Sequence, residues 1–204
     1  KNETYEGVHG QKITLPTFTK VGYDGYLYNQ AERSKYAFGS DFYFDNKNLT
    51  LVVMWESNDL YGEYTVRSNQ VTITDNGRWT NTIDTVDLTK FTGGLKMHTL
   101  RSLGYTTLKL TVELDIAERK DGYQYLMIYD SATEAAAIQI DGVDIEHSPG
   151  KENNNFAHYT YSFTIDINKI KSDYIYLLYG ASGFGNDDWY NKNVVVSGRF
   201  TQLS

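Results

Sequence analysis

The chain has 204 residues and a formal net charge of −7, and it contains no cysteine. This length is enough for one large domain or two modest ones. The negative charge repels a phosphate backbone and no lysine–arginine stripe offsets it, so we expect no nucleic-acid partner. The lack of cysteine excludes disulfides, cysteine–zinc sites and cysteine nucleophiles. No apolar run approaches the roughly 18 residues that span a bilayer, so we expect no membrane insertion.

Side chains that favour β-strands are unusually frequent in this composition. The chain has 18 tyrosines, 9 phenylalanines and 3 tryptophans, but only 2 prolines. Aromatic and β-branched residues fit the pleated, half-buried surfaces of sheets. The composition therefore predicts a mostly β protein.

Three ordered motifs occupy the first quarter of the chain: residues 10–16 (GQKITLP), 20–23 (KVGY) and 49–56 (LTLVVMWE). Their order resembles the Listeria–Bacteroides repeat, also called the internalin B-repeat, although Asp24 follows Tyr23 where the family has F-x-G-W. The resemblance implies a small β-grasp module over residues 1–56 on a bacterial surface protein. The family's first strand would precede Lys1, so we expect this module to be truncated at its N-terminus.

Amphipathic strands follow in the second module, which we place at residues 58–204. Residues 108–116 alternate strictly between apolar and polar side chains, which indicates a strand with one buried face. Residues 123–129 are a second strand and follow the turn signal Asp121-Gly122. The turn predicts that these two strands form a hairpin.

A second turn signal and one short helix complete the pattern. Asp141 and Gly142 separate two short apolar runs and predict another hairpin. Residues 95–103 carry leucine and methionine at near-helical spacing, and Gly104 follows as a C-cap. Many strands, few helices and frequent turns predict an antiparallel, jelly-roll-like β-sandwich.

Short motifs also run through this second module: residues 103–106 (LGYT), 121–125 (DGYQY), 180–183 (GASG), 187–189 (DDW) and 191–194 (NKNV). In this order they resemble uncharacterised sandwich domains in large surface proteins of Gram-positive bacteria. The resemblance implies an architecture and an extracellular location, with no activity attached.

Catalytic motifs are absent, and we predict that the chain is not an enzyme. None of the four histidines forms H-E-x-x-H or H-x-H. Glu113 and Asp115 share one strand face about 7 Å apart, a separation at which paired carboxylates can hydrolyse glycosides. Alternating charge on a solvated strand face is the ordinary explanation for them. His158 lies on the polar face of its strand, where a solvated side chain is the expected role.

A glycine-flanked acidic loop is the candidate metal site. Asn186, Asp187 and Asp188 supply hard oxygen ligands of the kind that calcium prefers. Consecutive residues rarely supply all six to eight ligands, so more distant aspartates would have to contribute. The alternative is a turn whose aspartates cap backbone N–H groups. We therefore expect no certain cofactor, with structural calcium as the candidate ion.

Two tryptophans and a tyrosine are the candidate ligand-binding residues. Trp189 and Tyr190 follow the acidic loop, and Trp79 lies in a similarly polar setting. Exposed aromatic rings stack on the apolar faces of sugars in many carbohydrate-binding modules. The alternative is that each tryptophan closes the end of the sandwich core, which is the role expected of Trp55 in the first module.

These features lead to two hypotheses of function. The first is a non-catalytic pair of modules in a bacterial cell-surface or secreted protein, acting in adhesion or as a structural spacer and contacting a host surface protein. The second is a carbohydrate-binding accessory module that binds a glycan through Trp79, Trp189 and Tyr190. Both predict an extracellular, monomeric protein.

Overall fold

The computed structural model describes residues 4–20, 22–45, 47–74, 79, 82–117, 122–145, 155–183 and 189–202, without the side chains of 122, 123, 182 and 183. The chain divides into two compact units, which we call unit 1 (Lys1–Asp59) and unit 2 (Leu60–Ser204). The polar segment at residues 57–60 is the predicted boundary between the modules, and this division lies within it. No described helix is long and apolar enough to cross a membrane.

Unit 1 consists of two small antiparallel sheets. Strands β1 and β4 form a ribbon, and strands β3, β2 and β5 form a three-stranded sheet in that order. No helix occurs among the described residues of this unit, and its relation to the β-grasp repeats stays a prediction. The strands are β1 (Lys12–Thr14), β2 (Tyr23–Asn29), β3 (Ser34–Ala37), β4 (Asp41–Tyr43) and β5 (Val52–Ser57).

The interior of unit 1 is built mostly from half-buried aromatic rings. Leu15 and Leu27 are its buried apolar side chains among the described residues. Around them, edge-to-face contacts join Phe38 to Trp55 at 5.7 Å and Tyr36 to Phe42 at 5.7 Å between ring centroids. Each such pair contributes about 0.5–1.5 kcal/mol beyond its buried area. A unit of this length buries a smaller share of its surface than a larger domain does, so these contacts carry much of its stability.

Unit 2 contains the remaining strands and the short helices. Helix α1 (Met97–Ser102) begins inside the predicted helical segment, and Gly104 follows it with φ +84°, as expected of a C-terminal cap. Short 3-10 turns span Leu88–Phe91, Glu134–Ala136 and Ile167–Lys169. The strands are β6 (Leu60–Arg67), β7 (Val71–Ile73), β8 (Ile83–Asp87), β9 (Thr107–Ala117), β10 (Gly122–Tyr129), β11 (Gln139–Ile145), β12 (Ala157–Asp166), β13 (Tyr174–Gly183) and β14 (Trp189–Thr201).

These strands form a two-sheet sandwich with jelly-roll topology. One sheet has the order β11-β10-β13-β8, and the other has the order β12-β9-β14-β6, with β7 added beside β14. If β6 and β8–β14 are counted from first to eighth, the two orders are 5-4-7-2 and 6-3-8-1, which are the two sheets of an eight-stranded jelly roll. The prediction of a mostly β chain with an antiparallel, jelly-roll-like sandwich is confirmed.

The alternation predicted for residues 108–116 is present, and it forms one wall of the core. Leu108, Leu110, Val112 and Leu114 are fully buried on β9. They face a continuous apolar cluster that includes Phe91 and side chains of both sheets. The buried face of a period-two strand therefore predicts the core correctly here.

Both predicted hairpins are wrong, for different physical reasons. Strands β9 and β10 lie in different sheets, so the chain crosses between the layers after β9 instead of turning back beside it. A turn signal between two amphipathic strands fits either connection. Asp141 and Gly142 lie within the continuous strand β11, where Gly142 is opposite Met127. A Cβ at Gly142 would lie 2.4 Å from the Met127 sulfur, so this glycine serves a close approach and not a turn.

Candidate functional site

The three predicted ligand-binding aromatics do not form one site. Trp189 is 1% exposed within the core of unit 2, which corrects its predicted role in stacking on a ligand. Tyr190 is its half-buried neighbour on β14, in the five-stranded sheet. Trp79 is partly buried and packs on Tyr129 of the four-stranded sheet, with ring centroids 5.0 Å apart. The core role that the sequence left open therefore applies to Trp189.

The predicted calcium ligands Asn186, Asp187 and Asp188 lie outside the described residues. Within the part of the chain that the structure describes, no group of three or more histidine, aspartate or glutamate side chains could hold a metal ion. The calcium prediction stays a prediction.

A polar cluster does form on the outer face of the five-stranded sheet. His158 on β12 lies opposite Asp115 on β9, and its Nδ1 is 3.0 Å from an Asp115 carboxylate oxygen. Its Nε2 lies 3.7 Å from Glu113. The sequence predicted these side chains on solvent-exposed faces of separate strands, but it did not predict the strand register that brings them together. Pairing of β9 with β12 supplies that register.

A backbone irregularity in β14 completes this cluster. Asn193 adopts φ +52° where the register of β14 against β9 shifts, and its Nδ2 donates a 2.7 Å hydrogen bond to Asp115. This bond, together with His158, holds the pKa of Asp115 below its ordinary value. The His158 side chain is 58% exposed and Glu113 is 45% exposed, so bulk water screens the group. The imidazole therefore approaches both carboxylates, one through each ring nitrogen.

A second polar group bridges the two sheets inside unit 2. Arg67 on β6 donates from Nε to both carboxylate oxygens of Asp84 on β8, at 3.0 and 3.1 Å. Both side chains are more than nine-tenths buried. The Tyr179 hydroxyl donates to the same carboxylate at 2.7 Å, and the Arg67 Nη2 donates to the Asn191 side chain. Burial and the Asp84 charge raise the pKa of Tyr179 well above its ordinary value.

The inward direction of Arg67 follows from a bulge. Along β6, Arg67 is paired with Val194 but Thr65 is paired with Val195, so Val66 is the extra residue. A bulge changes which side chains face inward beyond it, and here it turns Arg67 into the interior. The resulting ion pair has a structural role, because it joins the sheets and lies away from solvent.

Unit 1 contains a concave site of about 550 Å³, which lies within the range of ligand pockets. Tyr36 and Phe42 contribute aromatic surface to its lining, and Leu49 and Val52 contribute aliphatic surface. Tyr43, also in the lining, is 59% exposed. The cleft thus combines aromatic surface with an open mouth.

Polar residues of the β2–β3 turn form one wall of this cleft. Asn29 is 2% exposed, and its Oδ1 accepts from the backbone N–H groups of Ala31 and Glu32 at 3.0 and 3.3 Å. These bonds fix the turn and hold Glu32 at the mouth. The Glu32 carboxylate lies 3.5 Å from Lys47 on the opposite side, and Asp45 also lines the cleft. The mouth therefore carries two negative charges and one positive charge.

The cleft shares one residue with a strand at the edge of its sheet. Val52, which lines the cleft, is the first residue of β5. β5 pairs with β2 along one edge, and no described strand pairs with its other edge. Val52 and Met54 are 47% and 41% exposed on this strand. The sequence did not reveal this site, because its walls come from segments that only strand pairing brings together.

No protein-family model matches this chain, and no curated protein matches it. Solved structures of infectious bursal disease virus proteins do match. The VP2 subviral particle is 12% identical over 79% of this chain and 37% of the viral one, with a TM-score of 0.45. The Gt strain structure is 10% identical over 95% of this chain and 59% of the viral one, with a TM-score of 0.35. The chain therefore spans less than two thirds of either viral protein.

These comparisons correct the predicted function. The matching structures are viral proteins and not bacterial surface modules, so the prediction of a Gram-positive adhesive or spacer module is wrong by this finding. The glycan-binding alternative is also without support among them, and its main aromatic, Trp189, is buried. Neither function is carried further.

Proposed function

We propose that this chain is a non-catalytic protein-recognition module in which unit 1 binds an extended peptide segment of a partner protein. The observation that carries this proposal is that Val52 both lines the cleft and begins β5, a strand at the edge of its sheet. Unit 2 contributes a rigid scaffold, because its core is fully buried and its sheets are joined by an internal ion pair.

Strand addition explains how both features would act together. An extended peptide can pair its backbone with the free N–H and C=O groups of an edge strand, and alternate side chains then enter neighbouring pockets. Here the peptide would pair with β5, and one side chain near Val52 would enter the cleft against Tyr36 and Phe42. The backbone bonds supply affinity, and the cleft supplies selectivity.

Charge indicates which peptides fit best. Glu32 and Asp45 outweigh Lys47 at the mouth, and the whole chain has a net charge of −7. Opposite charge favours association and disfavours acidic competitors. The preferred segment therefore carries an aromatic or aliphatic anchor next to lysine or arginine. The same negative charge supports the proposal that nucleic acids do not bind.

Three further properties belong to this proposal. A role without catalysis fits the solvent exposure of His158 and Glu113, which are 58% and 45% exposed. An extracellular location rests on the resemblance of residues 10–56 to the internalin B-repeats. We propose a monomer, to be checked by sedimentation of the full chain.

The test is selection of peptides by the full chain from a random library, followed by titration with one enriched peptide. Tyr43→Ala removes an exposed ring from the cleft, and the matched control is Tyr174→Ala, since Tyr174 is a 44% exposed strand tyrosine of unit 2. We expect Tyr43→Ala to weaken binding by about fivefold or more, as at interface hot spots, and Tyr174→Ala to have no effect.

Reversal of the mouth charge sharpens this test. Glu32→Lys should weaken the binding of a basic peptide, and the loss of affinity should be larger at low ionic strength than at high ionic strength, since salt screens exposed charges. Failure to enrich any peptide, or equal binding by wild type and Tyr43→Ala, would overturn the proposal.

A further inference from the structure

Gln124 is a fully buried carboxamide inside the jelly roll. It lies on β10 in the same phase as Leu126 and Ile128, both of which face the core. Neither its Oε1 nor its Nε2 has a hydrogen-bond partner among the residues that the structure describes. A carboxamide can donate two hydrogen bonds and accept two, and none of these four is made by the Gln124 side chain within the described residues.

A buried carboxamide without hydrogen bonds lowers the stability of the fold. Moving an amide out of water without a compensating hydrogen bond is unfavourable, and buried polar groups in folded proteins nearly always have a protein or water partner. An apolar side chain of similar size would avoid this cost. The position therefore points to a partner that is not part of the polypeptide.

The surroundings of Gln124 are polar enough to hold such a partner. Gln124 is paired with Ala181 on β13, two residues from Tyr179, which also faces the core. The Tyr179 hydroxyl binds Asp84, and its ring lies 5.7 Å from the Arg67 guanidinium. Gln124 thus lies on the same face of the sheet as Tyr179, whose hydroxyl reaches the internal ion pair.

Asn191 offers a second unmet donor in the same network. Its Oδ1 accepts from Arg67, which can only donate, so the orientation of the carboxamide is fixed. Its Nδ2 is buried and has no partner among the described residues. Two buried carboxamides, one in each sheet, therefore have unmet hydrogen-bonding capacity.

We propose that the interior of unit 2 binds ordered water at Gln124, beside the Arg67–Asp84–Tyr179 group. Water matches the chemistry, because it donates to the Gln124 oxygen and accepts from its nitrogen, and buried waters typically make about three such bonds. The same water, or one bonded to it, accepts from the Asn191 Nδ2. This site is independent of the peptide cleft in unit 1.

The test replaces Gln124 with a side chain of similar length and no hydrogen-bonding groups. Gln124→Met removes the partner of the bound water, and we expect the Tm to fall by a few degrees, as for the loss of one or two hydrogen bonds in a chain of this size. The matched control is Gln70→Met, at an exposed position between β6 and β7, which should leave the Tm unchanged. A Tm equal to or above that of wild type for Gln124→Met would overturn the proposal.

High-resolution diffraction from crystals of the full chain separates loss of water from poor packing. We expect a water oxygen within about 3.2 Å of the Gln124 Oε1 or Nε2 in wild type, and none there in Gln124→Met. Gln124 without such a water in wild type would also overturn the proposal.

Discussion

The two units of this chain are stabilised in different ways. Unit 2 buries large side chains completely, among them Trp189, Tyr179 and Phe200, and joins its sheets through an internal ion pair. In unit 1 the only buried apolar side chains among the described residues are Leu15 and Leu27. Contacts between half-exposed aromatic rings supply the remaining apolar packing of this unit. The unit with the smaller core is also the one that carries the cleft.

This difference has a physical logic. Binding surfaces are drawn from the less stable parts of proteins, where the backbone can open and adjust, whereas a close-packed core resists deformation. Exposed strand edges and shallow clefts also leave apolar surface in water, which lowers the stability of the unit that has them. We therefore expect unit 2 to resist unfolding more strongly than unit 1.

The largest effect should come from breaking the internal ion pair of unit 2. Arg67→Met leaves Asp84 buried without its cation, and loss of one partner of a buried pair costs about 3–5 kcal/mol. The difference in the free energy of unfolding between wild type and Arg67→Met, obtained from urea titrations, measures this cost. Arg199→Met, at an exposed arginine on the same sheet, is the control.

A double variant distinguishes a lost attraction from an uncompensated charge. Arg67→Met with Asp84→Leu removes both charges, and we expect it to recover much of the stability that the single variant loses. If Arg67→Met alone has no measurable cost, the ion pair does not contribute as described.

The next largest effect compares equivalent leucines in the two units. Leu27→Ala in unit 1 and Leu110→Ala in unit 2 each remove a buried side chain, at a cost of about 2–5 kcal/mol. Because unit 1 has so little core, we expect Leu27→Ala to unfold unit 1, so that its backbone amides no longer exchange slowly. We expect unit 2 to stay folded in Leu110→Ala. Persistent protection of β2 in Leu27→Ala would contradict the comparison.

A smaller effect depends on pH and concerns Asp130, at the end of β10. Burial opposes its ionisation, but the Lys171 ammonium at 2.8 Å and the Ile138 N–H at 2.7 Å hold its pKa below the ordinary value. A lowered pKa stabilises the fold above the unfolded-state pKa of about 3.9, and this contribution is lost as pH falls through the folded-state pKa.

Asp130→Asn should therefore destabilise unit 2 by roughly 1–3 kcal/mol at neutral pH, as expected for hydrogen bonds to a charged group. The difference from wild type should shrink as pH falls below about 4, because the carboxyl of the unfolded chain then takes up a proton while that of the folded chain is still ionised. Urea titrations at pH 7 and pH 3 measure this, with exposed Asp144→Asn as the control. A difference independent of pH would exclude the ionic explanation.

Local patterns in the sequence predicted local structure well. The alternation over residues 108–116 identified the buried face of β9, and the leucine spacing before Gly104 identified helix α1. Both depend on neighbouring residues along the chain, since a period of two or 3.6 fixes which side chains share a face. The jelly-roll-like architecture followed from many such segments together.

Features that depend on strand register escaped prediction. The contact of His158 with Asp115 needs the pairing of β9 with β12, and the inward turn of Arg67 needs a bulge that its sequence does not announce. The cleft escaped for the same reason, since Asn29 and Val52 meet only after β2 and β5 pair. Tertiary pairing carries this information, and a single sequence shows only its local traces.

Amide hydrogen exchange of the full chain, measured with and without a peptide selected on it, tests the central claim most directly. We predict faster exchange in unit 1 than in unit 2 without peptide, and added protection within residues 29–57 when the peptide is bound. Protection that appears instead on the strands of unit 2, or bound peptide that leaves β5 unchanged, would contradict the assignment of recognition to unit 1.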